Sequence, residues 1–573
     1  MDKKNKKKSK NKKNNLIKII IPIGIVLLIV IGIFVFLMIS PKKFTLKENK
    51  ENKLSINLRD NTEEKVYLKV DSNKQNIVLS DFNNKKNSNY IIYLLKDSND
   101  KIINRGIIHN DGDTIIPSVK SGDYTLNFIY EGKKDFKLEG TIKLEKNKEE
   151  KYSTLEYGSV INKKIMKLVG ADYQDNTLKN VVLASKMNDD YKKDEYIVST
   201  KDSDKPIYMW VEKDTIYFYS DNKISFGDHP TYMFYRLYGL VNLDDLKYFR
   251  ADDIVDMNNM FEYNENLSNI KFISYFNMPK VKNVNSLFGH CTSLVDITPL
   301  VSLPTSNLVE MGGIIQETAV SDISVFKYFD VSNVKNMSAL IANTKVSDIS
   351  PLKDWNTKNV TTLNFAFNAT KIKNVDALSN WDTSKVTSMY STFGYCVNLE
   401  NIDGIKNWNT KLVTEFTGLF RYTELTNVDA LKKWNTKNVT KMDKLFESSR
   451  KLKDISGLSD WDTSSVTTLA NAFNYTSIDS VESLSKWNTS NVTSMLETFS
   501  HTKLKNLKGL KDWDTSKVED FGYTFDHMLE VNDVSDIDNW NISNGTKFEG
   551  IFYKTPKKPS WSGTFNDDGT YVK

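Results

Sequence analysis

The amino-acid sequence predicts a repeat solenoid with a short parallel strand and a short helix in each coil. A small β-sandwich stalk domain and an N-terminal transmembrane helix are predicted to precede it. The main observation is a series of eight tryptophans in the C-terminal half, spaced 26 or 27 residues apart. A fixed period in this range is typical of a solenoid, in which each repeat covers the apolar face of its neighbour. The other two observations are an uncharged apolar segment near the N-terminus and, after it, short stretches of alternating polarity.

The N-terminus is predicted to be a basic cytoplasmic head, 1–18, followed by a signal-anchor helix, 19–40. The head holds nine lysines and one acid, and the 21 residues 19–39 carry no charge. A helix of that length spans a hydrocarbon core of about 30 Å. The basic flank favours a cytoplasmic N-terminus, so the predicted location is the cell membrane, single-pass, with an extracellular C-terminal ectodomain. A cleaved signal peptide is the alternative, but its apolar region is usually shorter, roughly 7–15 residues, and ends in a small-residue site.

The region between the anchor and the repeats is predicted to hold a linker, 41–54, and an immunoglobulin-like β-sandwich stalk, 55–150. Alternating stretches at 66–70, 90–94 and 124–129 are separated by turn residues, which is typical of short antiparallel strands. The solenoid itself needs covered ends, because an uncovered end exposes strand edges. We therefore predict an N-terminal cap at 157–248 and a C-terminal cap at 553–573.

Twelve repeats of 26 or 27 residues are predicted over 249–552. Large apolar residues mark the same position of each coil, and the last eight of these markers are Trp355, Trp381, Trp408, Trp434, Trp461, Trp487, Trp513 and Trp540. Other apolar columns lie three, six and nine residues before the marker and eight and twelve residues after it. These columns are the predicted core.

Each coil divides into two halves. Residues after Trp381 supply side-chain oxygens suited to a helix N-cap, and Val386, Met389 and Phe393 follow at spacings of three and four, which indicate one helical face. The other half, such as 399–405, predicts a brief strand that pairs in parallel with its copy in the next coil. Exposed positions of these strands form the predicted ligand face, for example Glu400, Asp403, Lys373 and Asp376.

The run from Trp381 to Leu399 is Trp-Asp-Thr-Ser-x-Val-Thr-x-Met-x-x-x-Phe-x-x-Cys-x-x-Leu. It resembles the 26-residue repeat of the BspA-like leucine-rich-repeat family of bacterial surface proteins. The resemblance implies a leucine-rich-repeat-like solenoid on a bacterial surface, often linked to adhesion. It carries over no catalytic residues.

The cysteines and three of the histidines fall in two adjacent repeat slots. Cys291 and Cys396 lie in one slot, four coils apart, so stacked strands would separate them by about 20 Å, too far for a disulfide. His290, His501 and His527 share the preceding slot. His501 and His527 could begin a metal site, but that slot offers no third ligand and zinc usually needs three or four. We therefore predict free cysteines, turn histidines and no metal or cofactor.

An acid or amide precedes the strand Ile or Val in most coils. The members are Asp322, Asp348, Asn374, Asn401, Asn427, Asp454, Asn506 and Asp533, with Ser480 as the exception. Because carboxylates and amides alternate freely, we expect these side chains to bond backbone groups of a turn; a calcium-binding edge is the alternative.

The sequence predicts a binding protein and no enzyme. It contains five histidines in 573 residues and no phosphate-binding loop, His-Glu-x-x-His or nucleophile-elbow motif. Its near-neutral charge outside the head argues against nucleic acid. The predicted function is a membrane-anchored bacterial cell-surface protein that binds a protein or glycan ligand outside the cell through its solenoid. The alternative is a structural or envelope-organising scaffold with a bacterial surface partner.

Overall fold

The computed structural model describes residues 42–59, 62–71, 73, 75–83, 90–130, 135–146 and 150–573. The chain divides into two compact units, Met1–Lys148 and Glu149–Lys573. The predicted basic head, 1–18, and the predicted membrane-spanning helix, 19–40, lie outside the described residues.

The described part of the first unit consists of two β-sheets. Its strands are β1 (Lys42–Leu46), β2 (Asn52–Leu58), β3 (Thr62–Val70), β4 (Gln75–Ser80), β5 (Ile91–Lys96), β6 (Ile102–Ile107), β7 (Thr114–Val119), β8 (Gly122–Tyr130) and β9 (Phe136–Lys146). One sheet has the order β1-β3-β8-β5-β6 and the other β2-β9-β4-β7. The pairs are antiparallel apart from β1 with β3.

Both sheets of the first unit contribute to one hydrophobic core. In β3, Val66 and Leu68 are buried while Tyr67 between them is exposed, which is the alternation of a strand with one covered face. Side chains of the two sheets join the same buried cluster. The predicted linker 41–54 is wrong, because β1 and the start of β2 lie there and Leu46 and Leu54 belong to this core.

The second unit begins with short strands and an α-helix. These are β10 (Tyr152–Thr154), α1 (Gly158–Val169), β11 (Asn180–Leu183), β12 (Tyr208–Glu212), β13 (Thr215–Tyr219) and β14 (Lys223–Ser225). One sheet has the order β11-β13-β12, and β10 pairs with β14. Helix α1 buries Ile161, Ile165 and Met166, and it ends at Gly170 in the left-handed conformation, φ 71°.

After β14 the chain forms coils that stack in parallel register. Single residues bridge coil to coil at the repeat spacing, for example Asp256 to Asn283 and Thr362 to Ser388. Short 3₁₀ helices in 150–573 lie at Asp189–Tyr191, Asp194–Tyr196, Asp244–Tyr248, Lys271–Tyr275, Thr298–Ser302, Thr305–Asn307, Ser324–Tyr328, Ser350–Leu352, Asp376–Leu378, Asp403–Ile405, Asp429–Leu431, Ser456–Leu458, Glu482–Leu484 and Ser535–Ile537. The pair β15 (Thr564–Phe565) and β16 (Tyr571–Val572) ends the chain.

The predicted fold class is wrong. The repeats contain turns, isolated bridges and 3₁₀ helices where a leucine-rich-repeat-like solenoid would have a strand and a helix in each coil. The one α-helix among the described residues, α1, precedes the repeats. No helix of the described residues has the length and apolar character needed to cross a membrane. The predicted membrane-spanning segment, 19–40, is not among the residues to which that finding applies.

Left-handed residues explain why the predicted helix does not form. Ser391 has φ 50° and Tyr395 has φ 60°, whereas an α-helix of L-residues requires negative φ throughout. The N–H of Tyr395 therefore donates to the carbonyl of Arg421 in the next coil at 2.7 Å, while the N–H of Cys396 donates to Phe393 three residues earlier at 3.3 Å. This alternation of bonds within and between coils forms a ladder of turns.

Both ends of the stacked coils are covered. At the start, the side-chain amide of Asn162 in α1 donates to the carbonyl oxygens of Met233 and Tyr235 at 3.4 and 2.9 Å. At the other end, the N–H of Gly550 donates to the Thr570 hydroxyl at 2.9 Å. Stacking already begins inside the predicted N-terminal cap, since residues 232–236 bond to the coil that follows.

The eight marker indoles form a buried spine along the stack. Each is 3–5% exposed. The Nε1 of Trp381 donates to the carbonyl of Leu352 at 3.0 Å, and the other seven indoles make the same bond to the preceding coil. In six neighbouring pairs the rings are stacked with centroids 6.1–6.4 Å apart. The Trp561 indole repeats the pattern by donating to Ile537 at 2.9 Å.

Candidate functional site

A column of aromatic side chains lies along one edge of the coils, fourteen residues after the marker position in seven of the twelve coils. We call it the aromatic row, and its members are Tyr263, His290, Tyr395, Tyr422, Tyr475, His501 and His527. The three tyrosines in the later coils, Tyr395, Tyr422 and Tyr475, are each 39% exposed. The row is therefore a solvent-accessible surface feature, unlike the buried tryptophan spine.

Neighbouring rings of the aromatic row stack on one another. Ring centroids are 4.8 Å apart for Tyr395 and Tyr422, and 4.1 Å apart both for Tyr475 with His501 and for His501 with His527. Because the stacked faces cover each other, the ring edges, hydroxyls and imidazole nitrogens are the parts left for a partner.

The backbone holds every member of the row in the left-handed conformation, with φ between 51° and 64°. Glycine or asparagine usually occupies such positions, and other residues pay about 1–2 kcal/mol there. The surrounding coil-to-coil bonds maintain this conformation, as in the bond from Tyr422 N–H to the Glu447 carbonyl at 2.8 Å. Ala369 and Ser448 have the same conformation in this slot, so it belongs to the coil and not to the aromatic residues in particular.

Arginines lie against the tyrosines of the row. The Arg421 guanidinium is 4.6 Å from the ring centroid of Tyr395 and 5.6 Å from that of Tyr422, and Arg450 is 5.5 Å from Tyr475. Arg421 also pairs with Glu447 at 2.8 Å. These contacts add cation–π attraction and fixed charge to the row.

The histidine end of the row meets a buried carboxylate. Asp526 Oδ1 lies 2.5 Å from His527 Nδ1, and Asp526 Oδ2 lies 3.5 Å from His501 Nδ1. The Ser500 hydroxyl is 2.8 Å from the same His501 nitrogen. Burial first, and then the charge of His527, lower the pKa of His501 below its usual 6.5, and Asp526 partly opposes that shift.

Ser500, His501 and Asp526 do not form a nucleophilic relay. In such a relay the serine and the acid bond to opposite nitrogens of the imidazole, but here both lie near Nδ1. Ser500 is also buried, with 1% of its surface exposed, so its hydroxyl does not face a substrate.

The two cysteines are free and fully buried, and the prediction that they do not pair is confirmed. Cys396 Sγ lies 3.0 Å from the carbonyl of Phe367, and Cys291 Sγ lies 3.2 Å from that of Phe261. Ser449 occupies the same slot and donates to Phe420 in the same way. Burial raises the pKa of both thiols, that of Cys396 to about 11.

The acid and amide column has the backbone role predicted for it. The side-chain oxygen Oδ1 of Asn401 accepts a hydrogen bond from the backbone N–H of Asp403 at 2.7 Å. The side-chain oxygens of the other members, and of Ser480, accept from the backbone N–H two residues ahead in the same way. Glu400, Asp403, Lys373 and Asp376 are exposed beside these turns. They lie in a column separate from the aromatic row.

Sequence reasoning missed most of the aromatic row and the third group beside its histidines. The sequence places His290, His501 and His527 in one slot. The tyrosines of the row lie at the same distance from their markers, fourteen residues, so the same spacing identifies them. Sequence reasoning sought a third ligand only within the slot, whereas Asp526 comes from the slot before.

The coils and their repeated side chains define a repeat protein. The family described as "Mycoplasma protein of unknown function, DUF285" matches residues 230–350, 314–402, 344–455, 398–479, 420–506 and 469–564, which together cover more than half of the chain. The chain belongs to this family. No curated protein and no solved structure matches it significantly. The resemblance to BspA-like repeats stays a prediction.

Proposed function

We propose that this protein binds an extended protein or glycan ligand along the aromatic row. The observation that carries the proposal is that solvent-accessible aromatic rings occupy one slot in runs of two or three neighbouring coils and stack on one another within each run. Packing of the core does not require aromatic groups there, because Ala369 and Ser448 occupy the same slot in other coils.

The chemistry of the row suits recognition of a macromolecule. Tyrosine and arginine are enriched among the residues that dominate binding energy at interfaces. Tyrosine supplies a rigid contact area at little cost in conformational entropy, and the stacks of Tyr395 on Tyr422 and of Tyr475 on His501 restrict these rings further. A ligand that follows the stack would meet several rings at once, so that many modest contacts add up.

The test is a binding experiment with the full chain and two matched double variants. Arrays of glycans and a panel of candidate proteins identify a ligand with saturable binding. Tyr395→Ala with Tyr422→Ala removes one ring stack, and Glu400→Ala with Asp403→Ala alters the separate exposed column. We expect the tyrosine variant to weaken binding at least tenfold, about 1.4 kcal/mol or more, and the control variant to bind like the unchanged chain.

Two outcomes would contradict the proposal. Saturable binding that survives the tyrosine change but is lost in the Glu400 and Asp403 variant places the contact on the other column. Absence of saturable binding on both panels argues against a protein or glycan ligand altogether. Circular dichroism of each variant shows whether the coils remain folded.

A further inference from the structure

Two histidines and one carboxylate come together at the C-terminal end of the aromatic row. His501 and His527 lie in successive coils, with ring centroids 4.1 Å apart and an interplanar angle of 16°. Asp526 precedes His527 and is 6% exposed. One ligand atom from each of the three groups lies within 4.8 Å of the others.

The backbone fixes these three positions. The N–H of His501 donates to the carbonyl of Asp526 at 2.9 Å, which links the two coils beside the cluster. The N–H of His527 donates to Tyr553 in the coil after at 2.8 Å. Both histidines have left-handed backbones, with φ 57° and 51°. The side chains therefore start from defined positions on neighbouring coils.

We propose that His501, Asp526 and His527 bind a divalent transition-metal ion of the zinc class. Two imidazoles and one carboxylate are a ligand set that such ions favour over calcium or magnesium. Zinc–nitrogen bonds are about 2.0–2.1 Å long, so the three ligand atoms must move closer to one another when the ion binds. Three protein ligands leave one tetrahedral position open for water or for a group of a bound partner.

The surroundings of the cluster both support and limit the affinity. The Ser500 hydroxyl lies 3.1 Å from Asp526 Oδ2, so it can orient the carboxylate as an outer partner. Lys554 and Arg450 act on His501 as positive charges, which opposes the approach of a cation. We therefore expect zinc affinity in the micromolar range. The inference does not depend on the proposed function of the aromatic row.

The sequence offers a conservative way to remove the ligands. Tyr475 occupies the same slot and stacks on His501 at 4.1 Å, so a tyrosine is compatible with this backbone and this stack. His501→Tyr with His527→Tyr should keep the row and lose both imidazoles. His290 is the matched control, because it shares the slot and stacks on Tyr263 but has no second histidine beside it.

The experiment is calorimetric titration of zinc chloride into the full, tag-free chain after treatment with a chelator. We expect one zinc ion per chain, at least a hundredfold weaker binding after Asp526→Asn or the double tyrosine change, and unchanged binding after His290→Asn. Magnesium and calcium should give no saturable heat. Thermal unfolding should shift upward with zinc only in chains that keep the cluster.

Two results would overturn the proposal. One is no saturable zinc heat in the unchanged chain. The other is binding that persists in the double tyrosine variant with the same stoichiometry and affinity. Circular dichroism of that variant separates a lost site from a lost fold, and if it fails to fold, Asp526→Asn alone decides the question.

Discussion

The indole Nε1 of Trp487 donates a hydrogen bond to the carbonyl oxygen of Leu458 in the preceding coil, at 3.1 Å. This bond satisfies the only polar group of a side chain that is almost fully buried. The same bond recurs at each marker tryptophan, so every coil is joined to the one before it by a buried donor as well as by apolar packing.

Replacing Trp487 with phenylalanine should loosen its coil. The change removes one hydrogen bond, worth about 1 kcal/mol, and leaves a cavity where the larger ring was, so we expect a total loss of about 2–4 kcal/mol. Hydrogen exchange followed by mass spectrometry measures local stability at the backbone amides around residues 484–500. Lys486→Ala, at an exposed neighbour, is the control. Equal protection in the Trp487 variant and the control would contradict this role of the indole.

Replacing Ala369 with glycine should not destabilise the coil. Ala369 has φ 56°, where alanine costs about 1–2 kcal/mol relative to glycine. The greater freedom of glycine in the unfolded chain costs about 0.4–1 kcal/mol, so the net change should be close to zero or stabilising. Ala470 is also half-buried but does not have positive φ, and its change to glycine should lower stability by about 0.4–1 kcal/mol. Urea unfolding measures the free energy of unfolding of both variants. Equal losses of stability would show that the positive φ of Ala369 does not decide the effect of the change.

Neither cysteine should react with alkylating reagents in the folded protein. The thiolate is the reactive form, and burial raises the pKa of Cys396 to about 11 and raises that of Cys291 as well. Mass spectrometry after iodoacetamide treatment at pH 8 should find both thiols unmodified in the native chain and modified in denaturant. Rapid native labelling would show that the coils open at these slots.

The sequence was a reliable guide to which residues pack inside. The apolar columns around each marker, such as Leu378, Val375 and Phe393 beside Trp381, are buried as predicted. A periodic column of large apolar residues predicts a core, because exposing such a residue to water in every coil would cost free energy each time.

The path of the backbone between those residues could not be derived in the same way. Met389 and Phe393 are four apart, a spacing that fits one turn of a helix, but the chain between them passes through Ser391 in the left-handed region. Nothing in a serine or a tyrosine signals positive φ, because the conformation is held by bonds to the neighbouring coil. Asp526 lies beside the histidines of the aromatic row because of this backbone path, so their proximity could not be predicted without it.

Glu262 should make stability depend on pH. Glu262 is 6% exposed. Burial raises the pKa of its carboxyl above the usual value, although hydrogen bonds from Asn259 and Ser286 and the charge of Arg236 oppose the shift. An acid with a raised pKa in the folded state holds its proton more tightly there than in the unfolded chain. Stability should therefore fall as pH rises from about 4.5 through the folded pKa, and then stay lowered.

Glu262→Gln tests this linkage, because glutamine keeps an amide oxygen for Asn259 and is neutral at every pH. We expect the variant to gain stability over the unchanged chain at pH 7 and to differ little from it at pH 4, measured by urea unfolding at both values. Glu400→Gln is the control, since that carboxylate is exposed and should show no comparable difference between the two pH values. A variant that is less stable than the unchanged chain at pH 7 would mean that attraction to Arg236 outweighs the cost of burying the charge.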